Sequence, residues 1–138
     1  MRFMILRKAD MRTEADVLPG GELLTAMGQY IQEMAEADVL LSAEGLRTSA
    51  LGARVNFVDG SARVTRGPFA SPGGLVAGYC VIQVGSLDDA IGWVKKWPAL
   101  DGDGTVEIEI RQLFEAEDFG ELTPEERLAE DMLRSRAA

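Results

Sequence analysis

Histidine is absent from this sequence, and cysteine occurs once, at Cys80. Without imidazole and with one thiol, neither a zinc nor a copper site is expected, and no motif calls for any other cofactor. A single cysteine cannot close a disulfide within the chain, which fits a reducing cytoplasm. Long apolar runs are missing as well. No stretch approaches the ~20 residues needed to span a bilayer. The opening Met1-Arg2-Phe3-Met4-Ile5-Leu6 meets Arg7, Lys8 and Asp10 too soon to be the apolar region of a signal peptide. A cytoplasmic location is therefore expected. Positive charge is scarce, with 14 Lys and Arg against 23 Asp and Glu and a net charge of −9. Such a surface repels phosphate backbones and anionic lipid headgroups, so neither nucleic acid nor a membrane surface is expected as a partner.

What remains is ordinary globular material. The 138 residues suit one domain, with 46% hydrophobic and 27% charged side chains. A chain of this length buries roughly two-thirds of its unfolded surface and needs no disulfide or metal to fold. The charge is uneven. Residues Glu115 to Ala138 carry eight acids and three arginines, whereas Ser42 to Gly74 carry four arginines and two acids.

Residues 2–8 read as a strand with apolar side chains on both faces. A helix is expected over 21–37, with Leu23, Met27, Tyr30, Ile31 and Met34 on one side and Asp38 as terminator. Val39-Leu40-Leu41 and the segment Glu44 to Ser49 follow with no element assigned. Residues 53–58 and 61–66 read as two strands joined through Asp59-Gly60, and Gly67 to Gly74 as a loop. Residues 75–84 are apolar at both parities and predict a central strand covered on both sides. Ser86 caps a helix whose stripe is Leu87, Ala90, Ile91 and Val94, ended by Pro98. A last strand is expected over 105–114. Thr123, Pro124 and Glu126 start a tail helix with a capping box and a narrow apolar edge of Leu128, Met132 and Leu133.

This order predicts an α+β fold, an antiparallel sheet with two helices on one face. Two helices leave the other face bare. Either a second copy covers it, making a homodimer, or the C-terminal helix and loops cover it within one chain.

Arg66-Gly67-Pro68-Phe69-Ala70 resembles the DGPFAETKE signature of YCII-related (DGPF) proteins. Ala77-Gly78-Tyr79, Ser86 to Trp93, Pro98 and Val106 to Arg111 match the family's later motifs in order, as do Phe3 to Leu6 and Glu44-Gly45-Leu46 before it. The resemblance spans about residues 2–119. It implies a YCII-related domain over 1–119 with a helical extension over 120–138. It further implies a ferredoxin-like subunit that pairs into a dimeric α/β barrel, with clefts near the dimer interface. Some members look like small enzymes, one branch carrying a His–Asp pair suspected of acid–base work. Others are linked with extracytoplasmic-function sigma factors. This chain departs from the pattern in three places. Arg66 stands where the signature has Asp, Pro72-Gly73-Gly74 where it ends in Thr-Lys-Glu, and Arg47 where His is frequent.

Glu107 and Glu109 lie two apart on one predicted strand and share its polar face, as a proton-sharing pair would. The plainer reading is a solvated or salt-bridged face with Arg111. Arg47, Arg54, Arg63 and Arg66 come from neighbouring segments. Two or three guanidinium groups converging in a cleft would hold an anion, while the plainer reading is scattered surface charge paired with the acidic tail. The Gly67 to Gly74 loop has no P-loop lysine and leads into a strand, so it is not read as a phosphate cradle. Cys80 is read as core. Phe69, in a loop, and Tyr79 complete the candidates.

The expectation is a binding or regulatory module. It takes a small anionic metabolite or partner in a homodimer cleft through Arg47, Arg66, Phe69, Tyr79 and Arg111. A cofactor-independent isomerase- or lyase-like enzyme, with Glu44, Glu107 or Glu109 as base, is the first alternative. A transcription partner acting through the tail is the second.

Overall fold

In the computed structural model, which describes residues 1–70 and 74–137, the first strand already shows two sides. β1 (Arg2–Lys8) alternates buried Phe3, Ile5 and Arg7 with half-buried Met4 and Leu6. A one-turn helix α1 (Met11–Glu14) follows, capped reciprocally by Asp10 and Thr13. Then come α2 (Gly21–Glu36), β2 (Leu40–Gly45), β3 (Ala53–Val58), β4 (Ser61–Arg66) and β5 (Val76–Gln83). The chain continues through α3 (Leu87–Val94), β6 (Ile108–Gln112) and α4 (Pro124–Ala137). Ser71, Pro72 and Gly73 of the expected loop, and with them part of the departure from the family signature, lie outside the described residues.

The main sheet runs β2-β5-β1-β6 with every neighbouring pair antiparallel. With α2 and α3 packed on one face, this is the ferredoxin-like arrangement. Phe3, Ile5, Cys80 and Ile82 from the central strands meet Tyr30 and Met34 of α2 and Ala90 of α3 in the core. The Tyr30 hydroxyl donates to the Trp93 carbonyl at 2.7 Å, joining the two helices. Burial pushes the Cys80 thiol up to about 11, so it packs as a small hydrophobe.

The hairpin is not part of this sheet, contrary to the element order read from the sequence. β3 and β4 pair only with each other, and every residue in them is exposed. The second strand of the fold is β2, whose pattern hides it. Leu40 pairs with Ile82 and Ser42 with Val81, leaving Leu41 as the extra residue of a bulge. Leu40 and Ala43 thus both face the core although three residues apart, and no alternation survives to be read.

The hairpin turn itself follows the sequence, Asp59 (φ 50°) and Gly60 (φ 78°) both being left-handed. Asp38 adopts φ 57° just after α2, performing the termination at which glycine is usual. Two expectations are corrected. The last strand is Ile108–Gln112, shorter than 105–114, because its ladder with β1 runs only from Arg7 to Phe3. Leu87 is 49% exposed, since α3 is only two turns long and its first residue overhangs the core.

Arg7 ends the helix-side row of β1 and is buried. Its guanidinium forks onto Asp101 at 3.0 and 2.7 Å and reaches Asp10 at 3.1 Å and the Lys8 carbonyl at 2.8 Å. Trp97 Nε1 donates to Asp101 at 2.9 Å. Burial alone would raise the Asp101 carboxyl, but the hydrogen bonds from Arg7 and Trp97 outweigh it and hold the group below its ordinary value. No helix among the described residues is long and apolar enough to cross a membrane.

Candidate functional site

Residues directly opposite one another on antiparallel strands share a face. The row Ala43–Cys80–Ile5–Ile110 lies under the helices. The flanking rows therefore project the other way. One is Glu44–Tyr79–Leu6–Glu109 and the next is Ser42–Val81–Met4–Arg111. This second face has an apolar middle of half-buried Met4, Leu6 and Tyr79 and buried Val81 on the two central strands. Charge surrounds this middle, with Glu44 on β2, the Glu109–Arg111 pair on β6, and Arg2 and Lys8 at the two ends of β1.

Four of the residues singled out from the sequence, Glu44, Tyr79, Glu109 and Arg111, thus stand on one surface. Glu109 accepts from Arg111 at a loose 3.4 Å, and both side chains remain accessible. Three strand spacings separate Glu44 from Glu109, roughly 14 Å between backbones, so these two carboxylates cannot share a proton. Glu107 sits just ahead of β6, exposed, with its carbonyl accepting from the Lys8 amide at 3.0 Å.

The other candidates lie elsewhere. Arg47 is drawn onto Asp16, its guanidinium donating at 3.2 and 2.7 Å, and this contact holds the Asp16 carboxyl below its ordinary value. Arg66 pairs across the hairpin with Ala53 and shares a side with Val55, Phe57, Ala62 and Val64. Arg54 and Arg63 take the opposite side. Phe69 lies beneath the Arg54 guanidinium, 4.0 Å from the ring centre. Within one chain, Arg47, Arg66 and Phe69 thus stand apart from Tyr79 and Arg111. The hairpin leaves the sheet, its alternation splits the arginines, and Asp16 captures Arg47.

The signature stretch instead docks on the turn that follows β2. The Gly67 amide donates to the Gly52 carbonyl at 2.9 Å, and the Phe69 amide to Ser49 Oγ at 2.9 Å. A Cβ at position 67 would lie 1.7 Å from the Ser49 carbonyl oxygen, which explains the glycine. Glu14 anchors this turn from the other side. Its carboxylate takes the Ser49 amide at 2.9 Å and the Ser49 hydroxyl, while its carbonyl accepts from the Thr48 hydroxyl at 2.7 Å. Sequence reasoning missed Glu14 and Ser49, which are 35 residues apart and carry no local pattern. At the far end of the sheet Glu115 joins Arg2 at 3.0 Å and Arg134 of α4 at 3.2 Å.

The YCII-related domain profile matches residues 1–116, and the chain belongs to the YCII-related family. No curated protein matches it. Among solved structures, 5-chloro-2-hydroxyhydroquinone dehydrochlorinase (TftG) from Burkholderia phenoliruptrix AC1100, in complex with 2,5-dihydroxybenzoquinone, is similar at 13% identity and a TM-score of 0.49. The likeness covers 86% of this chain and 98% of that one.

Proposed function

We propose that two copies of the chain pair through their open sheet faces as a dimeric α/β barrel and bind a small anionic ligand between them. Met4, Leu6 and Tyr79 form the apolar wall, and Arg111 meets the anion. The reading rests on one observation, a sheet face turned away from the two helices whose half-buried apolar middle of Met4, Leu6 and Tyr79 is ringed by charge. Apolar area left in water forfeits about 25 cal/mol per Å², which favours a cover over that middle. The apolar edge of α4 is turned to solvent in the single chain, so it is not spent on this face. Arg111 offers a fork of donors at the β6 edge, suited to a carboxylate or phosphate. Glu44, three strand spacings away on the opposite edge, is too far for a small ligand held by Arg111, so the ligand class is a small carboxylic acid or phosphate ester.

Thermal denaturation with a panel of hydroxy acids, amino acids and phosphate esters tests this. A ligand at 100 times its dissociation constant should stabilise the protein by about 2.7 kcal/mol. The Arg111→Gln variant should fold normally and lose that gain. No stabilisation by any member, or an undiminished one in the variant, contradicts the assignment.

Carboxylate acid–base catalysis has one observation in its favour. Glu44 stands opposite Tyr79 in register and enters no salt bridge among the described residues. Turnover that disappears in Glu44→Gln while ligand binding persists would select that reading.

A further inference from the structure

The β3–β4 hairpin is rooted at one end of the sheet and the C-terminal segment at the other. The hairpin is inserted between Gly45 and Val76, at the end where Lys8 pairs with Val76 and Arg7 with Ile108. The tail leaves from β6 beyond Gln112, at the end where Phe3 and Arg2 lie, and Arg2 and Arg134 on Glu115 hold it there. The length of β1, about 20 Å, separates the two ends.

Each end carries apolar surface left exposed by the described residues. On the hairpin this is one side of the ribbon, with Phe57 72% and Val64 63% exposed. A two-stranded ribbon open on both sides is marginal in water and gains from a cover. On the tail, Phe114 is 70% exposed beside Phe119, and Leu128 is 61% exposed on the outer edge of α4. The charges are opposite. Residues 53–66 hold three arginines against Asp59, while 115–137 hold eight acids against three arginines.

These facts orient the pair proposed above, on which this inference rests. Two copies stacked on the same face are related by a twofold axis lying between the sheets. An axis running along the strands sets like ends together, basic ribbon beside basic ribbon and acidic tail beside acidic tail. An axis running across the strands sets each ribbon beside the other copy's tail. Both the charge pattern and the uncovered apolar surface favour the second arrangement. We infer that the hairpin of each copy is an arm that lies over the partner's C-terminal segment, the contact being made twice.

The test uses the low reactivity of Cys80, which is buried, so that cysteines placed on the surface are the accessible thiols. Phe57→Cys and Met132→Cys alter exposed residues and should leave the fold intact. The two variants are co-expressed with different tags and treated with a short bismaleimide. Cross-linked dimer carrying both tags should form several-fold more than same-tag dimer from either variant alone, and its yield should fall as salt is raised. A dimer in sedimentation that gives only Phe57-variant self-links, or no link between ribbon and tail, overturns the arm and leaves the pairing standing. Single chains in sedimentation overturn both.

Discussion

Arg7 occupies a position on β1 where the sequence pattern calls for an apolar side chain, and its charge is tolerated because Asp101, Asp10 and a carbonyl surround it. Arg7→Met should therefore lose about 3–5 kcal/mol in urea denaturation, the usual consequence of leaving a buried partner unpaired. The sign of the acid response follows from Asp101. Its folded carboxyl is held below the ordinary 3.8, so its contribution is full above that value and is lost as pH falls through the folded value. Asp101→Asn should be less stable at neutral pH and show a flatter stability profile below pH 4, measured by denaturant titration at each pH. Gly67 is fixed by space and not by a special dihedral. Gly67→Ala drives a methyl into the Ser49 carbonyl and should cost about 3 kcal/mol, the upper end for overpacking. Hydrogen exchange at the Phe69 amide should then rise, because its bond to Ser49 depends on the same close approach.

Elements differ in how plainly the sequence announces them. The hairpin turn and the start of α4 are local chemistry and could be read directly. Asp59-Gly60 turns left-handed, and Thr123 and Glu126 exchange amide bonds at 3.2 and 2.8 Å. Thr123→Ala should lower α4 stability by about 0.5–2 kcal/mol, seen as faster amide exchange in its first turn and little change elsewhere. β2 could not be read, because a bulge erases alternation and its partners lie some 40 residues away. The candidate site was legible by half for the same reason. Parity places Tyr79 on one side of β5 and Glu109 on one side of β6, but only register puts them in one row with Leu6 and Glu44. The bond from Arg47 to Asp16, 31 residues earlier, has no trace in the local pattern.

At the scale of the whole molecule, two helices close one face of the sheet and leave the other half-buried. The helix side holds Phe3, Ile5, Cys80 and Ile82, while Met4, Leu6 and Tyr79 wait on the other. The proposed ligand pocket, the roles of Tyr79 and Arg111 and the placing of the hairpin arm all need that second face to meet its own copy. Sedimentation equilibrium at micromolar concentration, on the intact chain and on Leu6→Glu, measures this directly. The intact protein should sediment at twice the 14.9 kDa chain mass and the variant as a folded single chain, because its carboxylate would be buried in the apolar middle of the pair. An intact protein that sediments at 14.9 kDa would contradict it.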